Sequence, residues 1–360
     1  MPLSYAPETM PDDLRHERTL ASAQFRGGVF QNTAGVRDGV KGGMLPMFRE
    51  LMFGGQERRP PAPLPIERPH DAWQRRPDSG FRATWLGHST VLLELDGRCV
   101  LTDPVFANNV GPTSFIGPRR FHPVPVELAE LPPLDVVVLS HDHFDHLCKP
   151  TMRALAKTGV PIVTSLGVGK RLEAYGWDPA RITELDWFEA AEVGGVRFTA
   201  TPAQHFSGRS IGTRNKTLWS SWVIQSERRK VFFSGDTGLT DEFIAIGKRF
   251  GPFDLTMLEI GAYHPSWGTI HLGPEHALDA FAMLGGGTLL PVHWGTFSLG
   301  FHAWDSPGEA LLALAPARAA RILTPRLGAA VEPEHLDGPT PWWREALAHR
   351  EVALDRPAQV

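Results

Sequence analysis

The sequence predicts an α/β fold in which two β-sheets lie face to face between helical layers, an αββα sandwich preceded by an N-terminal arm. Three observations predict it. Short β-type runs form a meander from residue 82 and then alternate with helix-type stretches, and this succession occurs twice along the chain. The composition, 42% hydrophobic and 21% charged, is that of a chain that builds a core. At 360 residues there is room for one large α/β domain with an added segment.

The elements follow in order. Residues 1–80 are rich in Gly, Pro, Arg and Met and end in Pro60-Pro61-Ala62-Pro63-Leu64-Pro65, which reads as an arm followed by a stiff linker. Within the arm, Met44, Leu45, Met47, Phe48, Leu51, Met52 and Phe53 crowd around Arg49 and Glu50 and predict a short apolar helix. Such a helix packs on its own domain or contacts lipid or a partner. The main domain is expected over residues 81–335, with a C-terminal helix or tail at 336–360. Its first strands are predicted at 83–86, 90–95 and 99–102, the last two joined by an Asp96-Gly97 hairpin turn. The apolar run 136–139 reads as a buried strand, and the helix 150–158 opens at Pro150. Further strands are predicted at 161–164, 196–201, 221–225, 231–234, 255–259 and 288–292, with helices at 169–175, 241–250, 274–284 and 307–314.

Composition excludes several classes of function. A net charge of −4 and the lack of a basic, aromatic-laced face argue against nucleic acid as a partner. Two cysteines, Cys99 and Cys148, are too few for a disulfide framework and suit a reducing, cytoplasmic setting. The first fifteen residues carry prolines and acids where a secretory signal needs a basic flank and an apolar run. No apolar run reaches the roughly eighteen residues of a membrane span, so any membrane contact would have to be peripheral, with the arm as its candidate.

The chemistry is concentrated in Ser140-His141-Asp142-His143-Phe144-Asp145-His146, where the 136–139 run stops. In extended backbone, residues two apart share a side, so His141, His143 and Asp145 can converge, and the following turn can bring His146 inward. Nitrogen and carboxylate donors without thiolate favour an open, catalytic metal site, with Zn²⁺ the first expectation and iron or manganese as alternatives. One cluster cannot complete two metal shells. His205, Asp236 and His293 supply the remainder, each just beyond a predicted strand, at the edge where α/β sites collect.

This set, His-x-His-x-Asp-His followed by a later His, Asp and His, resembles the metallo-β-lactamase superfamily, and within it the N-acylphosphatidylethanolamine-hydrolysing phospholipase D group. Supporting segments are Thr84-Trp85-Leu86-Gly87-His88-Ser89-Thr90, Leu101-Thr102-Asp103-Pro104-Val105-Phe106, Gly117-Pro118-Arg119-Arg120-Phe121, Glu259-Ile260-Gly261-Ala262-Tyr263 and Val292-His293-Trp294-Gly295-Thr296-Phe297. Asp142 and Phe144 depart from the Asn and Tyr often found in that group, and the 265–270 stretch is shorter, which bears on the acyl end of a lipid pocket.

The resemblance implies an αββα sandwich of the metallo-β-lactamase type and two divalent ions. His141, His143 and His205 would hold the first, Asp145, His146 and His293 the second, and Asp236 would bridge them. It implies a hydroxide between the ions, oriented by Asp145, that attacks a phosphodiester, with His271 beside the phosphate as a catalytic group. Asp103 is expected to accept a ligand histidine's free N–H, and His88 to stand behind the ligands. Arg119 and Arg120 are expected in solvent more readily than on a lipid phosphate. His302 is expected away from substrate. The implied reaction is a phospholipase D-type hydrolysis of N-acylphosphatidylethanolamine-like phospholipids, and the group's habit is the homodimer. The alternatives are a lactonase or amidase resembling the ascorbate-phosphate lactonases, since the same hydroxide attacks carbonyl carbon, and a metal-holding protein without turnover.

Overall fold

The computed structural model describes residues 12–34, 57–113, 115–264, 267–335 and 338–348. The apolar stretch at 44–53 lies outside the described residues. Among the described residues the first elements are a helix, α1 (Asp12–Ala21), a two-stranded ribbon, β1 (Phe25–Arg26) and β2 (Val29–Phe30), and a short helix, α2 (His70–Trp73). α1 has no broad apolar stripe and was not predicted. Arg15 holds it in place by reaching Glu184 and Glu173, each at 2.5 Å. The linker runs along the domain, with Leu64 buried and Ile66 pairing with Leu327.

The first sheet opens with the expected meander. β3 (Phe81–Gly87), β4 (Thr90–Leu95) and β5 (Arg98–Thr102) pair antiparallel, and Asp96 and Gly97 turn between the last two at φ 51° and 82°, the left-handed pair a tight hairpin requires. A bulge between Trp85 and Gly87 ends the pairing of β3 beside His88. β6 (Val136–Leu139), β7 (Ile162–Ser165) and β8 (Ile182–Leu185) then add in parallel, separated by α3 (Lys149–Ala156) and α4 (Gly169–Glu173).

The second sheet repeats the plan. β9 (Ala190–Val193), β10 (Val196–Thr201), β11 (Ser221–Gln225) and β12 (Lys230–Phe233) form a meander. β13 (Leu255–Glu259), β14 (Thr288–Val292) and β15 (Arg321–Ile322) follow in parallel, interleaved with α5 (Glu242–Phe250), α6 (Gly273–Met283) and α7 (Ser306–Leu314). β16 (Ala330–Val331) returns to the first sheet beside β3. Among the described residues each of the two facing sheets has seven strands, so the structure is the αββα sandwich that the sequence predicts. The sandwich strands absent from the prediction, β8, β9, β15 and β16, are short and lie at the sheet ends, and the two-residue strands β1 and β2 were likewise not predicted, all having little length in which periodicity can register.

The facing sheets bury a continuous apolar layer that includes Trp85, Val91 and Leu93 from one side and Phe198, Trp222 and Phe232 from the other. The C-terminal Trp342 and Trp343 join the same core, both essentially without solvent exposure. Because strands 5–8 and 12–15 are parallel, their carboxyl ends emerge together at one edge of the sandwich.

Candidate metal centre

His141 follows β6, His205 follows β10, Asp236 follows β12, Glu259 closes β13 and His293 follows β14. The structure thereby brings the seven side chains nominated from the sequence into one volume. His141, His143, His205 and Asp236 place one donor atom each within 4.8 Å of one another, and so do His88, Asp145, His146 and His293. Asp236 faces both groups. Its Oδ2 lies 3.9 Å from His141 Nε2, 3.7 Å from His205 Nε2 and 3.2 Å from His146 Nε2, while Oδ1 lies 3.2 Å from His293 Nε2. On the second side, Asp145 Oδ2 stands 3.4 Å from His293 Nε2 and 3.6 Å from His146 Nε2.

The far sides of the rings are fixed. Asp103 accepts from His146 Nδ1 at 2.6 Å and from Ser140 Oγ at 2.6 Å. Ser140 Oγ in turn takes the Nδ1 proton of His141 at 2.8 Å, so one buried carboxylate backs two histidines. His205 donates Nδ1–H to the Ile270 carbonyl at 2.9 Å. With these Nδ1 protons committed, the Nε2 lone pairs of His141, His146 and His205 point inward, the tautomer that metal ligation requires.

Three of the inward atoms, His146 Nε2, His293 Nε2 and Asp236 Oδ1, are buried with no hydrogen-bond partner among the described residues. Buried polar atoms without partners are costly, and a cation satisfies all three at once. The electrostatics agree. Burial opposes ionisation of Asp236, but the imidazoles of His146 and His293 outweigh it and hold the carboxyl well below the usual range. Burial likewise disfavours charge on His293, yet Asp236 and Asp145 push its pKa up to about 10. His146 is raised likewise, whereas burial holds His141, His143 and His205 below the ordinary imidazole range, so anionic carboxylates and neutral imidazole nitrogens share one cavity, a donor set that fits divalent ions.

Backbone strain converges on the same place. His88, Asp103, Ala262 and His293 all have positive φ, at 53°, 31°, 55° and 63°. Non-glycine residues persist there only when their surroundings hold them. The His88 carbonyl accepts from the His293 amide at 3.0 Å, which ties the two loops together. His88 stands closer than the sequence suggested, its Nε2 3.1 Å from Asp145 Oδ2 and its ring among the possible donors. Gly235, at φ 55°, lies so near Ser140 that a Cβ would come within 2.6 Å of the serine Cβ, so the turn that presents Asp236 needs glycine.

The sequence reading placed Glu259 at a strand end and in a segment of the resemblance but gave it no role in the site. It is fully buried, its Oε1 accepts from the Thr237 amide at 2.6 Å, and its Oε2 accepts from His271 Nδ1 at 2.6 Å. A carboxylate closing an otherwise apolar strand was the available signal. Burial disfavours charge on His271, but Glu259 outweighs it and raises the imidazole above its ordinary pKa. Glu259→Gln is expected to lower turnover about 10- to 100-fold, the range for residues that orient active groups, with a shifted pH profile. A change in thermal stability with an unaltered pH profile would make Glu259 merely structural.

Arg120 corrects an expectation. It is buried, not solvated, with Nη2 donating to the Val105 carbonyl at 2.5 Å and its guanidinium against the Phe297 ring, while Arg119 is exposed. The two ring nitrogens of His302 are taken by the Ala262 amide and the Ala303 carbonyl, and the residue lies outside the cavity above the site. That cavity, of about 430 Å³, has His143, Asp145, His205, Asp236, His271 and His293 at its polar end and Phe206, Trp267, Ile270, Leu299 and Phe301 as walls.

A two-sheet sandwich with paired His/Asp groups at its strand ends defines a metal-dependent hydrolase class. Residues 98–294 match the family described as Beta-lactamase superfamily domain. The chain is 45% identical over 299 residues to an uncharacterized protein of Mycobacterium tuberculosis, covering 82% of this chain and 80% of that one. It is 34% identical over 312 residues to N-acyl-phosphatidylethanolamine-hydrolyzing phospholipase D 1 of Caenorhabditis elegans, covering 81% of this chain and 87% of the relative. The crystal structure of isothiocyanate hydrolase from Delia radicum gut bacteria shares the fold, with a TM-score of 0.56 and 22% identity over 70% of this chain and 98% of that one. The chain belongs to the metallo-β-lactamase superfamily.

Proposed function

We propose that the protein hydrolyses a phosphodiester of the N-acylphosphatidylethanolamine type, in the manner of a phospholipase D. The observation that carries the reading is one cavity with paired donor groups at its base and apolar walls above, in a chain similar to an enzyme named for that reaction. His141, His143 and His205 would hold one ion, Asp145, His146 and His293 the other, and Asp236 both, with Zn²⁺ the occupant its nitrogen and carboxylate donors favour. When bound, such a pair supplies a water of lowered pKa and neutralises charge developing on phosphoryl oxygens.

The residues around the pair do the rest. Asp145, held at His88 Nε2, is placed to accept a proton from the attacking water and to orient it. His271 has committed Nδ1 to Glu259, so Nε2 is the atom it offers a ligand in the cavity, where it can donate to the departing alkoxide. Water adds to phosphorus, the bond to the headgroup oxygen breaks, and the alkoxide leaves as an N-acylethanolamine with phosphatidic acid as the second product. The apolar walls exclude water and take acyl chain. Arg214, whose guanidinium lies 4.4 Å over the Phe206 ring, adds positive charge at the wall.

Side-by-side turnover of a chromogenic phosphodiester, a lactone and N-acylphosphatidylethanolamine, with lipid products identified by mass spectrometry, tests the reading. The phosphodiester and the lipid are expected to react and the lactone to lag far behind. Chelation should stop the reaction and Zn²⁺ restore it. Preferential lactone hydrolysis would replace the phosphodiesterase reading with the carbonyl-attack alternative.

A further inference from the structure

Among the described residues, the three most exposed large apolar side chains are Ile211 at 100%, Phe115 at 92% and Ile116 at 60%. Single exposed apolar residues are ordinary, but these three tip two loops that border one groove. The groove, of about 490 Å³, is lined by residues 107–109 and 111–113 on the Phe115 side, by Arg209 on the Ile211 side, and by Phe144, Lys149 and Arg153 between them. Three cations line it and no carboxylate does. Arg209 is fixed there, its guanidinium 3.9 Å from the Phe144 ring centroid and donating to the Leu147 carbonyl at 2.8 Å. The first turn of α3, at Lys149 and Pro150, forms part of the same wall and adds the positive end of its dipole.

The groove adjoins the metal centre. Phe144 lines it, while the flanking His143 and Asp145 line the catalytic cavity. The 206–214 loop is shared in the same way, with Phe206 and Arg214 on the cavity and Arg209 on the groove. Apolar tips beside clustered cations are what a surface needs to enter the headgroup boundary of an anionic bilayer. The net charge of −4 leaves the molecule as a whole repelled by such a bilayer, so the attraction is local and selects this face.

We infer that the loops carrying Phe115, Ile116 and Ile211, together with Lys149, Arg153 and Arg209, dock the protein on an anionic lipid surface with the catalytic cavity beside the contact. This contact lies on the folded domain and is separate from the lipid contact considered for the arm, whose apolar stretch lies outside the described residues. It rests on exposure and charge, independently of which phosphodiester is cleaved.

The test is sedimentation of the full chain with vesicles of phosphatidylcholine alone and of phosphatidylcholine mixed with phosphatidylglycerol. Partition onto the mixed vesicles, weakened by salt, is expected. Lys149→Glu/Arg153→Glu should reduce it by about twentyfold or more, given roughly fivefold per lost cation near such a surface and further repulsion from the introduced acids. Phe115→Ser/Ile116→Ser/Ile211→Ser should reduce it about tenfold or more. Both variants should melt as the parent does and hydrolyse a water-soluble phosphodiester at the parental rate, which separates loss of docking from failure of the reaction assignment. Absence of partition onto the mixed vesicles, or equal partition by the parent and both variants, would overturn the inference.

Discussion

Asp236→Asn is expected to cut turnover by about a thousandfold or more in a chain that still folds. The substitution keeps the shape of the side chain and removes its charge. In the native site that charge faces two groups at once, with Oδ2 3.9 and 3.7 Å from His141 and His205 and 3.2 Å from His146, and Oδ1 3.2 Å from His293. An amide offers one weakly ligating oxygen and an NH2 group whose two N–H bonds only donate, so it cannot serve two cations, and the inward Nε2 atoms lose the anion that makes the cavity attractive to positive charge. Losses of 10²–10³ follow removal of a single principal electrostatic group from an active site, and here the loss extends to the ions that do the chemistry. His143→Ala should behave similarly, since His143 Nδ1 lies 3.3 Å from His205 Nε2 and within the first donor group. Elemental analysis should give about two ions per parental chain and fewer in both variants, with far-UV circular dichroism unchanged. Full activity in both variants would sink the site assignment.

The site was legible in the sequence because its residues sit at the ends of recognisable strands. A run such as 136–139 announces a buried strand, and whatever polar residues follow must emerge at the sheet edge. His205, Asp236 and His293 were found by the same rule. Glu259 obeyed it too and opened one of the segments that carry the resemblance, but as the last residue of β13 it sat within the strand pattern rather than after it and was given no role. Arg120 illustrates the opposite failure. Two adjacent arginines in a loop suggest solvent, and only the fold shows that the Val105 carbonyl and the Phe297 ring close over one of them. α1 was illegible because its anchoring is carried by Arg15 reaching carboxylates more than 150 residues away, information absent from local periodicity.

Trp342→Ala is expected to cost about 3–5 kcal/mol, the range for emptying a large aromatic site in a packed core. Trp342 is 1% exposed and its ring stands 5.9 Å from Trp85, 5.5 Å from Trp294 and 5.6 Å from Trp343. Its Nε1 has no hydrogen-bond partner among the described residues, so the contribution is packing. Trp342→Phe should therefore recover much of the loss in a denaturant titration. The effect should reach the metal centre, because Trp294 follows His293 directly and Trp85 donates to the His88 carbonyl at 2.8 Å. With the cavity left by Trp342, those two loops lose the side chain that presses them together, and His293 at φ 63° loses part of what holds it there. Metal affinity should fall along with the denaturation midpoint, although residue 342 touches no donor. A lowered midpoint with undiminished metal affinity would show that the tryptophan layer supports the sandwich without positioning the site.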